Sequence, residues 1–227
     1  MEADVAGDRR GAGALVLLLA THNRKKLAEI ERILRAELGA GVHLLGLDVH
    51  PEVATAPEEG TTFAENARQK ALWYAERTGA VCLADDSGLE VDALGGRPGV
   101  HSARYAGPDA SDADNRRKLL QELAAVAPPA RTARFRCAIC LVDGGEVVFE
   151  ADGTTEGSLL PAERGSGGFG YDPLFIVPEL AGRAMAEMSD VEKNEVSHRA
   201  RAARAMRDKL KKMLDARLVE VERVSRV

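Results

Sequence analysis

The chain has 227 residues, a formal net charge of −5, 45% hydrophobic content and only 4% aromatics. That balance describes an enzyme-like protein with an aliphatic core and argues against a nucleic-acid binder, which carries a basic face, though local basic clusters can still hold a small phosphorylated ligand. Three cysteines, Cys82, Cys137 and Cys140, form no disulfide framework, and Cys137-x-x-Cys140 lacks the second half of a zinc site; a reducing cytoplasm fits this usage.

Arg9-Arg10 before an apolar run superficially resembles a twin-arginine signal, but Glu2, Asp4 and Asp8 spoil the positive segment. The run is also too short to span a bilayer, so no membrane role is expected. Residues 1–13 are expected to be a disordered extension, 14–219 a single domain and 220–227 a tail. Leu15–Ala20 is a continuous apolar strand. Lys25–Leu38 follows as an amphipathic helix with Leu27, Ile30, Leu34 and Leu38 on one stripe. A second strand is expected near Val42–Leu47, a helix from Phe63 to Thr78, and a strand over Val81–Ala84 that stops at Asp85-Asp86. Ser111 opens a helix through Val126, and Pro128-Pro129 closes that segment. Thr132–Val142 alternates in strand fashion and turns at Asp143-Gly-Gly-Glu146 into Val147–Ala151 as a hairpin. Leu174–Val177 reads as a further strand. Ser197 caps a last helix with a stripe of Ala203, Met206, Leu210, Met213 and Leu214. Two βαβ-like units joined to a hairpin predict an α/β fold with a mixed sheet between helices.

The chemistry concentrates in five segments. Ala84-Asp85-Asp86-Ser87-Gly88 delivers paired acids to a strand end, and alternation turns Asp85 and Asp86 to opposite faces, so one of them enters the site. Thr21-His22-Asn23-Arg24-Lys25-Lys26 lies between the first strand and its helix, where free N–H groups and Lys26 suit an anion, although Asn23 also serves simply as an N-cap. Thr62 and Glu65 form a capping box, yet a first-turn Glu65 can also hold a divalent metal. Asn66 and Lys70 share a helix face at i,i+4, where a phosphate can bridge them. Gly167-Gly-Phe169-Gly170-Tyr171-Asp172-Pro173 lets backbone approach a ligand and offers an aromatic stacking surface. Lys193, His198 and Arg199 bring cations to the start of the last helix, the less favourable end for them unless they serve a ligand.

Acids for a metal, bases for phosphate and an aromatic for a base point to a nucleotide. The ordered set Thr21-x-Asn23-x-x-Lys26, Phe63-x-Glu65-Asn66-Ala67, Ala84-Asp-Asp-Ser-Gly-Leu89, Gly95-Gly-x-Pro-Gly99, Ser102-Ala-Arg-Tyr105, Gly168-Phe-Gly-Tyr-Asp-Pro173 and Lys193-Asn-x-x-Ser-His-Arg199 resembles the inosine triphosphate pyrophosphatase family over roughly residues 15–217. The resemblance implies a cytoplasmic homodimer of two-lobed α/β protomers, each with a central substrate cleft. It also implies Mg²⁺-dependent cleavage of noncanonical purine nucleoside triphosphates to the monophosphate and pyrophosphate. On that resemblance Thr21, His22, Asn23, Arg24, Lys25 and Lys26 contact the triphosphate, and Glu65 and Asp86 hold magnesium, with Asp86 also the proton acceptor. Ser87, Phe169, Gly170, Tyr171, Asp172, Lys193, His198 and Arg199 contact substrate, and Lys70 adds a phosphate contact. His22 stands where many relatives have glycine, and Arg24-Lys25 replace a softer pair. Two other readings stay open: a pyrophosphatase for modified pyrimidine nucleotides, and a nucleotide sensor that does not cleave.

Overall fold

Leu15, Leu17 and Leu19 of the first strand enter one core while Leu18 and Ala20 enter another, so the apolar run becomes a strand with helices on both sides. The computed structural model describes residues 14–178 and 182–225. The expected extension over 1–13 lies outside the described residues. In chain order the elements are β1 (Leu15–Leu19), α1 (Arg24–Leu38), β2 (Val42–Leu45), α2 (Phe63–Thr78), β3 (Cys82–Val91) and α3 (Asp112–Glu122). They continue with β4 (Thr132–Asp143), β5 (Glu146–Leu159), β6 (Phe175–Ile176), α4 (Asp190–Val196) and α5 (His198–Ser225).

The six strands form one mixed sheet in the order β2-β1-β3-β4-β5-β6. β1 runs parallel to β2 and β3, and the remaining pairs are antiparallel. α1 and α5 cover one face with Ile30, Ile33, Leu34, Ala203, Met206 and Leu210. α2 covers the other with Phe63, Ala67, Ala71 and Tyr74. A third core, under α3 and β6, gathers Leu89, Leu119, Phe135, Leu174 and Phe175. Cys137 and Cys140 fall in different cores, on opposite faces of β4, and all three cysteines are free and buried. Burial pushes the Cys82 and Cys140 thiols up to about 12. Among the described residues no helix is long and apolar enough to cross a membrane.

Several boundaries differ from expectation for identifiable reasons. β3 does not stop at Ala84 but runs to Val91, because β4 pairs with it residue by residue from Cys82 onward. β5 continues past Ala151 to Leu159, through Gly153 and Gly157. Both glycines are places of close approach. A Cβ on Gly157 would lie 2.5 Å from the Phe175 ring, and one on Gly153 would run into the His198 carbonyl and lie 2.6 Å from Ala202 N. α3 ends at Glu122 rather than Val126, with the Arg131 guanidinium donating to the Leu123 and Val126 carbonyls that a longer helix would have used. α4, not foreseen as a helix, starts at a capping box of Ser189 and Glu192. Ser197 then accepts from Ala200 N at 3.1 Å to open α5, which carries helix through residues expected to be a tail.

Because α5 backbone lies directly on Gly153, Gly153→Ala is expected to force helix and sheet apart. Overpacking of this kind costs about 1–3 kcal/mol, on the order of 2–12 °C in melting temperature for a chain this size. A thermal melt checks it, and an unchanged midpoint would show that α5 is not seated by backbone contact.

Candidate active site

β1 pairs with β3 only at Leu18↔Cys82 and Leu19↔Leu83. Beyond that step β3 has lost its parallel neighbour, and the loop after β1 fills the space, with Ala20 N donating to Leu83 O at 2.8 Å. α1 leaves β1 on one face and α2 returns on the other, so the step is also where the strand order switches direction and a crevice opens. Asp85, Asp86 and Ser87 all lie on this unpaired stretch. Parity sends Asp85 toward α1 and α5 and Asp86 toward α2.

On the α2 side Asp86 is 7% exposed. Asn66 Nδ2 donates to its Oδ2 at 3.1 Å, and Lys70 Nζ to its Oδ1 at 3.2 Å. The same Lys70 ammonium reaches Glu58 Oε1 at 2.9 Å, and Arg104 holds the other Glu58 oxygen at 3.3 Å. Burial raises the Asp86 carboxyl above its ordinary value, against the pull of Lys70 and Lys26. Lys70 stays a cation, for although burial works against its charge, Asp86, Asp85 and Glu58 favour it more strongly. Glu65, expected here as a metal ligand, is instead engaged in the cap of α2. Its Oε2 accepts from Thr61 N at 2.7 Å, Thr61 Oγ1 at 2.9 Å and Thr62 N at 3.1 Å. The carboxylate that the fold brings beside Asp86 through Lys70 is that of Glu58, which the sequence reading missed.

On the other face Asp85 is fully buried. Its Oδ2 meets Lys26 Nζ at 3.0 Å, Arg199 Nε at 3.5 Å and Ser87 Oγ at 3.0 Å. Burial alone would raise this carboxyl, yet Lys26 and Arg199 hold it well below the carboxylate range. Arg199 also donates to Ser87 Oγ at 2.7 Å and to Glu29 Oε2 at 3.2 Å. Glu29, likewise missed, is 2% exposed on α1, and Lys193 approaches the same oxygen at 3.6 Å. Its one sequence signal is an acid one turn after Lys26, inside the buried stripe next to Ile30.

The glycine-rich loop docks on these cations. Asp172 Oδ2 accepts from Phe169 N at 2.9 Å and Lys193 Nζ at 2.8 Å. Gly168, at φ 68°, faces that carboxylate so closely that a Cβ would collide with it. The Phe169 ring sits among Lys193 at 4.7 Å, Arg199 at 4.9 Å and Lys25 at 6.0 Å. Tyr171, expected as a second aromatic contact, is buried and donates to Ser102 O at 2.9 Å, while Gly170 N is held by Asp112 at 2.8 Å. His198 is 2% exposed and stacks on Phe135 at 4.8 Å. Burial, with Arg199 and Lys193 nearby, lowers its pKa well below the usual histidine value and keeps the ring neutral.

In the first loop Thr21 Oγ1 accepts from Asn23 N at 3.1 Å, and Asn23 caps α1 by accepting from Lys25 N and Lys26 N. His22 Nε2 lies 3.3 Å from Thr55 Oγ1 and 3.4 Å from Tyr74 OH, whereas Arg24 is exposed. Two cavities adjoin across this loop. One is lined by Asn23, Lys26, Ser87, Phe169, His198 and Arg199, the other by Thr21, His22, Asn23, Lys26, Glu58 and Lys70. They share Asn23 and Lys26 as walls, the first carrying the aromatic Phe169 and Phe135 and the second carrying Lys26, Lys70 and Glu58.

The model of the Ham1 family matches residues 17–209. A dITP/XTP pyrophosphatase of Geobacter sulfurreducens is 50% identical over 194 residues, covering 86% of this chain and 96% of that protein. One from Nitratidesulfovibrio vulgaris is 50% identical over 198 residues, covering 84% and 93%. Among solved structures, a HAM1 protein from Coxiella burnetii superposes with a TM-score of 0.77 at 39% identity, over 87% of this chain and 99% of that one. A nucleoside-triphosphatase or dITP/XTP pyrophosphatase from Mycobacterium abscessus gives 0.67 at 44% identity, over 85% and 98%. With a matching model across most of its length and close relatives covering nearly all of theirs, the chain belongs to the Ham1 family.

Proposed function

We propose that the protein hydrolyses noncanonical purine nucleoside triphosphates, dITP, ITP and XTP, to the monophosphate and pyrophosphate. The observation that carries the reading is a pair of adjoining cavities that share Asn23 and Lys26, one lined by Glu58 and by Lys70, whose ammonium holds Asp86 at 3.2 Å, the other by Phe169, His198 and Arg199. Family membership and the names of relatives at 50% identity support the same activity. The enzyme acts on free nucleotides as a cytoplasmic homodimer of a single domain, without nucleic-acid or membrane partners.

Mg²⁺ suits the donor set. Among the described residues no three metal-binding side chains converge into a cage, and Mg²⁺ is commonly held by one or two carboxylates together with substrate phosphates. The Lys70 ammonium between Glu58 and Asp86, at 2.9 and 3.2 Å, marks where these two carboxylates already share a cation. Asp86 and Glu58 therefore replace the expected pair of Asp86 and Glu65 as its holders. Bound there, Mg²⁺ supplies neutralisation of phosphate charge. Lys26 and Lys70 bind and orient the triphosphate, and phosphoryl chemistry depends chiefly on such positioning and charge. Asp86, raised by burial, takes the proton of the attacking water more readily than an ordinary carboxylate. Phe169 offers a face for the base, which His198 and Arg199 orient.

Pyrophosphate release from dITP, ITP and XTP against the four common triphosphates and modified pyrimidine triphosphates, with and without Mg²⁺, tests the substrate class. Release from pyrimidine substrates alone, or from none, would overturn it. Asp86→Asn is nearly isosteric and is expected to leave the melting temperature within a few degrees while kcat for dITP falls about 10²–10⁴-fold. Wild-type turnover would remove Asp86 from its role. Glu58→Gln is expected to raise the Mg²⁺ concentration giving half-maximal rate, whereas Glu65→Gln, which still closes the capping box, should leave that titration unchanged. The reverse pattern would return the metal to Glu65.

A further inference from the structure

Asp85 points away from Asp86 and, by strand alternation alone, belongs outside the reacting centre. Its surroundings say otherwise. One oxygen, Oδ2, gathers Lys26 from α1, Ser87 from β3 and Arg199 from α5, at 3.0, 3.0 and 3.5 Å. Arg199 Nη2 closes the ring by donating to Ser87 Oγ at 2.7 Å. The second oxygen, Oδ1, has no hydrogen-bond partner among the described residues although it is buried.

That arrangement is a poor way to hold a fold together. A buried carboxylate pays desolvation and leaves one oxygen unsatisfied, and well-packed apolar groups in place of buried ion pairs are often neutral or stabilising. Its charge also repels a polyanionic ligand. What the carboxylate does provide is geometry. It sits between a lysine that lines both cavities and an arginine that lines the aromatic one, and both cations lie within ion-pair distance of a single oxygen, with Ser87 joining that oxygen to Arg199 by hydrogen bonds.

We infer that Asp85 is a positioning residue, setting Lys26 for the phosphates and Arg199 for the purine edge, so that the two ends of the substrate are read by groups registered to one carboxylate oxygen. The inference rests on the proposed nucleotide reading of the cleft. Without the Asp85 charge, Lys26 and Arg199 repel one another and each moves from its place. Loss of Lys26 placement weakens all triphosphates, and loss of Arg199 placement weakens the distinction between a 6-oxo and a 6-amino purine.

The test is Asp85→Asn, assayed for kcat and KM on dITP and on dATP, with the melting temperature followed alongside. The expected result is a folded protein whose kcat/KM for dITP falls about 30-fold or more, mainly through KM, while its preference for dITP over dATP shrinks about tenfold. A merely structural role would lower the melting temperature and scale both nucleotides alike. An unchanged dITP-to-dATP ratio, or a dITP kcat/KM near wild type, overturns the inference. Should Asp85→Asn fail to fold, the double variant Asp85→Asn/Lys26→Met removes the ion pair together. It is expected to discriminate less than Lys26→Met alone, and equal discrimination overturns the inference. Asp86→Asn separates the two failures. If that variant is inactive while Asp85→Asn keeps its nucleotide ratio, only the Asp85 role falls; if it stays active, the catalytic reading falls with it.

Discussion

Everything functional in this molecule depends on one mismatch of strand lengths. β1 ends at Leu19 and β3 continues to Val91, supported from there by β4 alone. The missing neighbour opens a crevice, and strand alternation at that point makes two consecutive aspartates face two different helices. Had β1 continued, its backbone would occupy the space now held by the first loop and Lys26. Had β3 stopped at Ala84, as its apolar run suggests, Asp85 and Asp86 would sit on a turn without the rigid backbone that separates their roles. Fixed strand backbone places side chains more reproducibly than loops do, which suits chemistry that relies on position.

The cations of the cleft are buried or, at Lys26, partly buried, and the fold pairs them with carboxylates of which only Glu58 is exposed. Glu29, Asp85 and Asp172 stand against Lys26, Lys193 and Arg199, and Glu58 and Asp86 flank Lys70. Such pairs contribute little net stability, since desolvation offsets their attraction. Their effect is preorganisation: donors are aimed before the ligand arrives, so little reorganisation is left for the reaction itself. Phe169 belongs to the same device. Its ring lies near Lys193, Arg199 and Lys25, so the aromatic surface and this positive charge are parts of one cluster.

Much of this was legible in the sequence because it is local. The helix stripes, the Thr62–Glu65 and Ser197 caps, and the opposite orientations of Asp85 and Asp86 follow from periods of 3.6 and 2. What was not legible depends on distant backbone. The second half of β5, beyond the expected end at Ala151, carries Gly153 and Gly157, whose fit depends on α5 and β6 backbone packed against them. Glu58, in a loop with no period, is recognisable only once Lys70 joins it to Asp86, whereas Glu65 carried an obvious local motif and drew the metal assignment to itself. Glu29 shows the same limit from the other side, because an acid in a buried stripe signals a partner without naming Lys193 or Arg199, which lie over 160 positions away.

The neutrality of His198 bears on how a base is chosen. A charged imidazole would present two donors beside Arg199, which has donors only, and the aromatic end would then favour any acceptor-rich edge. Burial and the adjacent cations keep the ring uncharged, so it carries one N–H and one acceptor nitrogen. On the proposed reading Arg199 sets the polarity of the pocket and His198 restricts it. A 6-oxo group finds donors, while a 6-amino group meets the guanidinium with its own hydrogens and leaves both desolvated and unpaired. Mispairing of that kind discriminates more strongly than any gain from shape, because an unsatisfied buried polar group costs more than a made hydrogen bond returns. Burial together with Arg199 and Lys193 thus keeps the histidine neutral, with only a minor push from Lys26, so on the proposed reading the base is selected mainly by cations other than those that bind the phosphates.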